Sequence, residues 1–178
     1  VRMMEIREYG KDRLPAGPAI DDSDEIIVVE GRADVLNLLK HGIKNVIALN
    51  GTSVPETIKE LSKKKIVTAF VDGDRGGDLI IKELINTSDI DYVVKAPDGK
   101  EVEEITKKEI HKALRSKVAI EQVKMELERK ENNYNHYRYE RKIEKKLSIS
   151  KKELNIFRNM LEDLVGTRGA YILDENSN

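Results

Sequence analysis

The sequence predicts an α/β fold in which short parallel strands alternate with helices, followed by a mainly helical appendage. Three observations carry this. Residues 25–29, 46–49, 65–71 and 92–94 are short apolar runs rich in Val and Ile. Such runs, without polar alternation, mark strands buried on both faces of a parallel sheet. Between them lie stretches whose apolar residues return at helical spacing. Two of the runs open directly into acidic, Gly-containing turns: Glu30-Gly31-Arg32-Ala33-Asp34 after the first, and Asp72-Gly73-Asp74-Arg75-Gly76-Gly77-Asp78 after the third.

Residues 1–9 alternate weakly, with Met4 and Ile6 apolar, and suit an edge strand. Arg13-Leu14-Pro15-Ala16-Gly17-Pro18 interrupts it; two prolines and a glycine predict an extended linker. The acidic stretch 21–25 leads into the first strand. Ala33, Val35, Leu36, Leu38 and Leu39 then form the apolar face of a helix, and Gly42 suits the left-handed residue that ends one. The second strand closes at Asn50-Gly51-Thr52. A helix follows from about Pro55, a residue favoured in a first turn, with Ile58 and Leu61 facing inward. The third strand precedes a helix carrying Leu79, Ile80, Ile81, Leu84 and Ile85. The fourth ends at Ala96-Pro97-Asp98-Gly99.

Thr106 and Glu109 fit a capping box that opens a helix with Ile110, Ala113 and Leu114 on its apolar face. A second helical stretch covers 118–130. From 132 to 146 the periodicity is lost, and a mobile helix or loop is expected. Ser150 and Glu153 form another box, with Ile149 placed to staple onto Leu154. That helix carries Phe157, Met160, Leu161 and Leu164 and ends at Gly166. Residues 169–173 read as a short final strand and 174–178 as a frayed end.

The 178 residues are enough for one domain and an appendage. There is no Cys, which excludes a disulfide framework, a thiol nucleophile and a Cys-based zinc site. No apolar run is long enough for a transmembrane helix and no signal peptide is visible, so a soluble, cytoplasmic protein without a membrane partner is expected. The chain opens on Val1 rather than Met, as a fragment would. Charged residues make up 37%, Trp is absent and Gln122 is the one glutamine, a composition that leans toward a thermophilic source. The net charge of −1 hides an asymmetry: residues 107–152 hold fifteen Lys or Arg against seven Glu, a local +8 that leaves −9 elsewhere. A basic half joined to an acidic half suits an enzyme that handles polyphosphate or nucleic acid, although a solvated helical surface has the same composition.

Short connections and right-handed crossovers place the four strands in one sheet with helices on both faces. With the first strand central and the second and third on either side, a crevice opens at the carboxyl edge, where open α/β sheets bind ligands. Glu30, Asp72 and Asp74 flank it. Three carboxylates there suit a hard divalent cation such as magnesium, which takes oxygen ligands and keeps several waters. Asp-Gly is also ordinary turn chemistry; the joint placement of the two blocks favours the site. Arg32 and Arg75 are placed either to contact phosphate or to pair with the neighbouring acids. The glycines of both blocks, with Gly51 and Thr52 after the second strand, allow tight turns and close backbone approach. Asp78 reads as a helix N-terminal charge. His41, His111 and His136 are scattered and read as no ligand set.

The ordered succession of Glu-Gly-Arg-Ala-Asp, Leu-Asn-Gly-Thr and Asp-Gly-Asp-Arg-Gly-Gly after successive strands resembles the Toprim domain, the catalytic module shared by topoisomerases, bacterial-type primases and some nucleases. The resemblance covers about residues 24–112. The stretches 13–18 and 97–104 look like those of the archaeal DnaG-type primases, which are longer than this chain. The resemblance implies a Toprim-like four-stranded parallel sheet flanked by helices, with a C-terminal mainly helical appendage. It divides the chain into an N-terminal strand and linker (1–23), a Toprim catalytic core (24–105) and a basic, mainly helical segment ending in a short strand (106–178). It implies that Glu30 binds a first Mg2+, that Asp72 bridges two ions and that Asp74 binds the second, with Mn2+ able to substitute. Asp34, one helical turn after Glu30, is a further candidate ligand or an orienter. Bacterial primases carry Asp-Pro-Asp after the fourth strand; this sequence departs from that pattern with Glu101-Val102-Glu103, which leaves the roles of Glu101 and Glu103 open.

Nucleotidyl transfer needs charge neutralised on the moving phosphate more than it needs a covalent partner, and two metals can hold attacking oxygen, phosphorus and leaving pyrophosphate in line. The expected function is therefore the magnesium-dependent nucleotidyltransferase core of a DnaG-type primase, making short RNA primers from nucleoside triphosphates on a single-stranded DNA template. The stretch 134–142 interleaves Tyr with Arg138, Arg141 and Lys142, a composition that stacks bases while binding phosphate; a helix that uses Tyr for packing reads the same way. The chain has no room for a topoisomerase's separate tyrosine-bearing domain, and the Cys zinc modules of bacterial primases and recombination Toprim proteins are absent. Two rival functions stand: a Toprim nuclease that cleaves RNA with the same metals, and an RNA-binding component of the archaeal exosome with little catalysis.

Overall fold

A computed structural model describes residues 5–51, 53–147, 150–167 and 169. In chain order its elements are β1 (Arg7–Tyr9), β2 (Leu14–Ala16), β3 (Glu25–Val29), α1 (Arg32–Lys40), β4 (Val46–Ala48), α2 (Glu56–Ser62), β5 (Ile66–Val71), α3 (Arg75–Thr87), β6 (Tyr92–Lys95), α4 (Lys107–Arg115), β7 (Val118–Ala119), α5 (Ile120–Leu147) and α6 (Lys151–Leu164). The chain divides into two compact units, Val1–Glu126 and Leu127–Asn178.

In the first unit the strands form one sheet in the order β1-β2-β4-β3-β5-β6-β7. The four predicted strands are its contiguous parallel centre, with β3 between β4 and β5 as the connection rules require. Alternate side chains of β3 serve different layers. Ile26 and Val28 join Ile58, Leu61, Ile80, Ile81 and Leu84 from α2 and α3. Ile27 and Val29 join Val35, Leu38 and Leu39 of α1 and Ile110 of α4. Full burial of each such side chain contributes about 1.5–3 kcal/mol, so the strand ends are held from both faces.

The sheet has seven strands rather than four, because three short antiparallel strands extend its edges. One of them, β2, lies where Pro and Gly predicted a linker. Leu14 and Ala16 are buried there, Ala16 pairs with Ile47, and the Gly17 N–H donates to the Val46 carbonyl at 2.7 Å. A strand of three residues is defined by its partners more than by its own pattern, and near a sheet edge a proline is tolerated.

Residues 118–119 are strand rather than helix, pairing with β6. The helix begins at Ile120 and continues unbroken through 132–146. Glu, Lys and Arg dominate its far end; these are good helix formers that need no apolar stripe.

Both predicted capping boxes form. Glu109 Oε2 accepts from the Thr106 N–H at 2.9 Å, and Glu153 Oε2 from the Ser150 N–H at 2.8 Å. In the second unit α6 is followed by Gly166 at φ +81. The staple from Ile149 and residues 170–173 of the strand predicted over 169–173 lie outside the described residues, as does Thr52. Among the described residues no helix is long and apolar enough to cross a membrane.

Candidate metal centre

β3 and β5 are parallel neighbours with Val28 beside Ala69, so their carboxyl ends reach the same edge of the sheet. Glu30 follows β3 at once. Its carbonyl accepts from the Asn50 N–H at 3.0 Å, which ties the turn to the end of β4. Asn50 adopts φ 59, a left-handed conformation that Asn tolerates better than most residues. Asp72 follows β5 and is half-buried. Asp74 is the N-cap of α3, its Oδ1 accepting from the Gly77 N–H at 3.0 Å. Asp34, in the first turn of α1, is buried, and its Oδ2 accepts from the Gly31 N–H at 2.8 Å.

Two glycines permit close backbone approach at this edge. A Cβ on Gly77 would strike the Asp72 carbonyl oxygen, and one on Gly73 the Pro97 carbonyl oxygen. Gly73 instead interlocks with the loop after β6: its N–H donates to the Lys100 carbonyl, and its carbonyl accepts from the Gly99 N–H, each at 3.0 Å. The loop then brings the Val102 N–H to 2.7 Å from Asp72 Oδ1.

The acids act on one another. Burial first, then the charges of Asp72, Asp74 and Glu101, hold the Glu30 carboxyl above its usual range. Burial raises Asp34 to about 6; the Gly31 hydrogen bond opposes this and the charges of Asp72, Glu30 and Glu103 add to it. Glu101 is raised mainly by Glu103 and then by Asp72. Carboxylates from both acidic blocks and from the 97–105 loop thus repel across one edge, and a cation relieves that repulsion.

The donor set is hard oxygen throughout, which fits Mg2+ or Mn2+. Among the described residues no three acids draw together tightly enough to cage an ion by themselves. That suits magnesium, which keeps waters and takes one or two carboxylates together with substrate phosphates. Asp72 and Asp74 each give one oxygen to a backbone N–H, which orients the carboxylate and leaves the other oxygen for an ion or its water.

Arg32 and Arg75 are exposed, and neither forms an ion pair with another described residue; the alternative of pairing with the neighbouring acids is not realised. Asp78 pairs with Lys95, and Lys100 with Glu109 at 2.7 Å. Arg138, Arg141 and Lys142 lie exposed on α5, in the second unit. Tyr134, Tyr137 and Tyr139 beside them are 68%, 70% and 65% exposed, so they do not pack a core. The placement of Glu101, Glu103 and the Val102 amide had no local signal in the sequence, because it depends on how a loop folds back.

Fold and site together define a class: an open α/β domain with an acidic carboxyl edge on a parallel sheet. The chain belongs to the Toprim family, whose Toprim domain pattern matches residues 24–124. Toprim domains of primases generally bind divalent metal ions. The chain is 57% identical over 180 residues to the DNA primase DnaG of Archaeoglobus fulgidus, covering 100% of this chain and 43% of that protein. It is 72% identical over 123 residues to the DNA primase DnaG of Methanocaldococcus jannaschii, covering 69% of this chain and 29% of that one. The chain thus spans less than half the length of these curated relatives. Among solved structures it is similar to the Aquifex aeolicus primase (zinc-binding and RNA polymerase domains), with a TM-score of 0.54, 27% identity, and coverage of 72% of this chain and 37% of that one.

Proposed function

We propose that the acidic edge is the metal centre of a cytoplasmic DnaG-type primase core that joins nucleoside triphosphates into short RNA primers on a single-stranded DNA template. The observation that carries this is the delivery of Glu30, Asp72 and Asp74 to one edge by parallel neighbours. The identity to a DNA primase DnaG across the whole chain supports it. Two Mg2+ ions suit the site, with Mn2+ able to replace them: Glu30 and Asp72 would hold one, Asp72 and Asp74 the other. Bound there, they would neutralise charge on the transferring phosphate and the leaving pyrophosphate.

The chain's own residues do the rest. Backbone N–H groups fix the Asp72 and Asp74 carboxylates, so little reorganisation is left for the reaction. Asp34 holds the Glu30 turn through Gly31 and stands as a further candidate ligand. Arg32 and Arg75, exposed within the two acidic blocks, would contact the triphosphate. A nucleotide 3′-hydroxyl attacks the α-phosphorus, pyrophosphate leaves, and the hydroxyl proton passes to solvent; no side chain is assigned as general base.

Arg138, Arg141 and Lys142 would bind nucleic-acid phosphate, with the exposed tyrosines offered to bases. That basic, aromatic helix is also what a second reading rests on, in which RNA and the archaeal exosome are the partners and the acids matter little. The test is incorporation of labelled nucleoside triphosphates on a single-stranded template by the wild-type chain and by Glu30→Gln. Extension lost in the variant supports the primase reading. Extension that survives it, or shortening of a labelled RNA strand in place of extension, overturns it.

A further inference from the structure

We propose that Asn37 is a positioning residue for the metal centre: through the backbone of the 97–105 loop it sets the orientation of Asp72. The inference rests on the metal reading of the acidic edge and adds a residue to it.

Asn37 lies half-buried in the middle of α1. Its Nδ2 donates two hydrogen bonds, to the carbonyls of Val102 at 2.8 Å and Ile105 at 2.9 Å. Val102 and Ile105 are 0% and 1% exposed, so their backbone groups depend on protein partners. The N–H of the same Val102 donates to Asp72 Oδ1 at 2.7 Å. Asn37 therefore holds Val102 by its carbonyl while Val102 holds Asp72 by its amide. With Oδ1 fixed, the carboxylate no longer turns freely, and Oδ2 is left for an ion or its water. The same loop carries Glu101 and Glu103, whose charges reach Asp72 and Asp34 respectively.

The chemistry calls for an amide at this position. A carboxylate of the same shape would face two carbonyl oxygens with no proton to share. A hydroxyl supplies one donor where two are used. The helix itself gains nothing from Asn, which is a weaker helix former than Ala. Gly73 locks the loop from the opposite side through Lys100 and Gly99, so the anchor and the lock bracket Asp72. Partners that orient a metal ligand without touching the metal typically change metal affinity by about 10–100-fold when removed.

The experiment is Mn2+ binding, followed by the electron paramagnetic resonance of the free ion, on the wild-type chain, Asn37→Ala, Asn37→Asp, Asp72→Asn and Ile105→Val. Melting is recorded for each variant without metal. Both Asn37 variants should bind Mn2+ about 10–100-fold more weakly. Ile105→Val trims the core beside the same loop and keeps its hydrogen bonds, so it should bind as wild type does. Asn37 variants that melt lower but bind Mn2+ as wild type does would overturn the proposal, as would an equal loss in Ile105→Val. A wild-type chain that binds no Mn2+, or binds it unchanged in Asp72→Asn, would overturn the metal reading itself. That outcome is distinct from failure of Asn37 alone.

Discussion

Replacing Asp34 by Asn should stabilise the metal-free protein near neutral pH and do little in acid. Asp34 is 6% exposed. Burial, aided by the charges of Asp72, Glu30 and Glu103, lifts its carboxyl from 3.8 to about 6. The folded value lies above the unfolded one, so over that interval the folded protein keeps a proton that the unfolded chain has released. The contribution of Asp34 to stability is therefore most favourable below about pH 4 and falls as the pH rises through 6, beyond which the ionised carboxylate imposes a constant cost. A shift of about two units corresponds to about 3 kcal/mol. Asn cannot ionise, yet its side-chain oxygen still accepts from the Gly31 N–H, which lies 2.8 Å from Asp34 Oδ2. Asp34→Asn should thus gain about 1–3 kcal/mol near pH 7.5, or roughly 2–10 °C in melting temperature for a protein of this size. The gain should vanish near pH 4, where Asp34 is itself protonated. Added Mg2+ should narrow the gap by stabilising the wild type. Calorimetric melts at both pH values in chelator give the answer. A variant that melts lower near pH 7.5, or that gains equally at both, would refute the claim that a buried charge is being repelled there.

Asp74 separates a structural role from a chemical one. Asp74→Ala removes the α3 cap and should cost about 1 kcal/mol of stability, whereas Asp74→Asn keeps a capping oxygen and should melt near wild type. Both should lose metal-dependent extension, and an active Asn variant would make Asp74 only a cap. Single-strand binding through α5 should weaken steeply with salt, with a log–log slope of roughly −0.7 per phosphate contacted. Fluorescence anisotropy should show a shallower slope when Arg138, Arg141 and Lys142 all become Ala; an unchanged slope counts against phosphate contact there.

The parallel centre of the sheet and its acidic edge were legible because both come from local pattern. Uniform apolar runs such as 66–71 mark strands buried on two faces, and right-handed crossovers fix which neighbours they take. Glu30, Asp72 and Asp74 sit at strand ends, so naming the strands placed the acids. What the pattern concealed is set by partners distant in the chain. Leu14–Ala16 looks like a linker until Ile47 pairs with it, and Val118–Ala119 like a helix start until Val93 and Tyr92 do. The far half of α5 loses its apolar period and passes through weak helix formers at 132–137, and the Glu, Lys and Arg on either side carry the helix across them. Asn37 and the Val102 amide stand 65 residues apart in the chain, and no motif joins them. Their roles follow from a loop whose course is settled by buried Val102 and Ile105.

The most direct measurement is an anomalous difference map from crystals of this chain soaked with Mn2+ and a nucleoside triphosphate. Manganese is expected at the carboxyl edge of β3 and β5, with Asp72 between two ions, Glu30 and Asp74 on the outer sides, and the triphosphate oxygens completing their shells. Manganese or triphosphate bound away from that edge, with Glu30, Asp72 and Asp74 untouched, would contradict it.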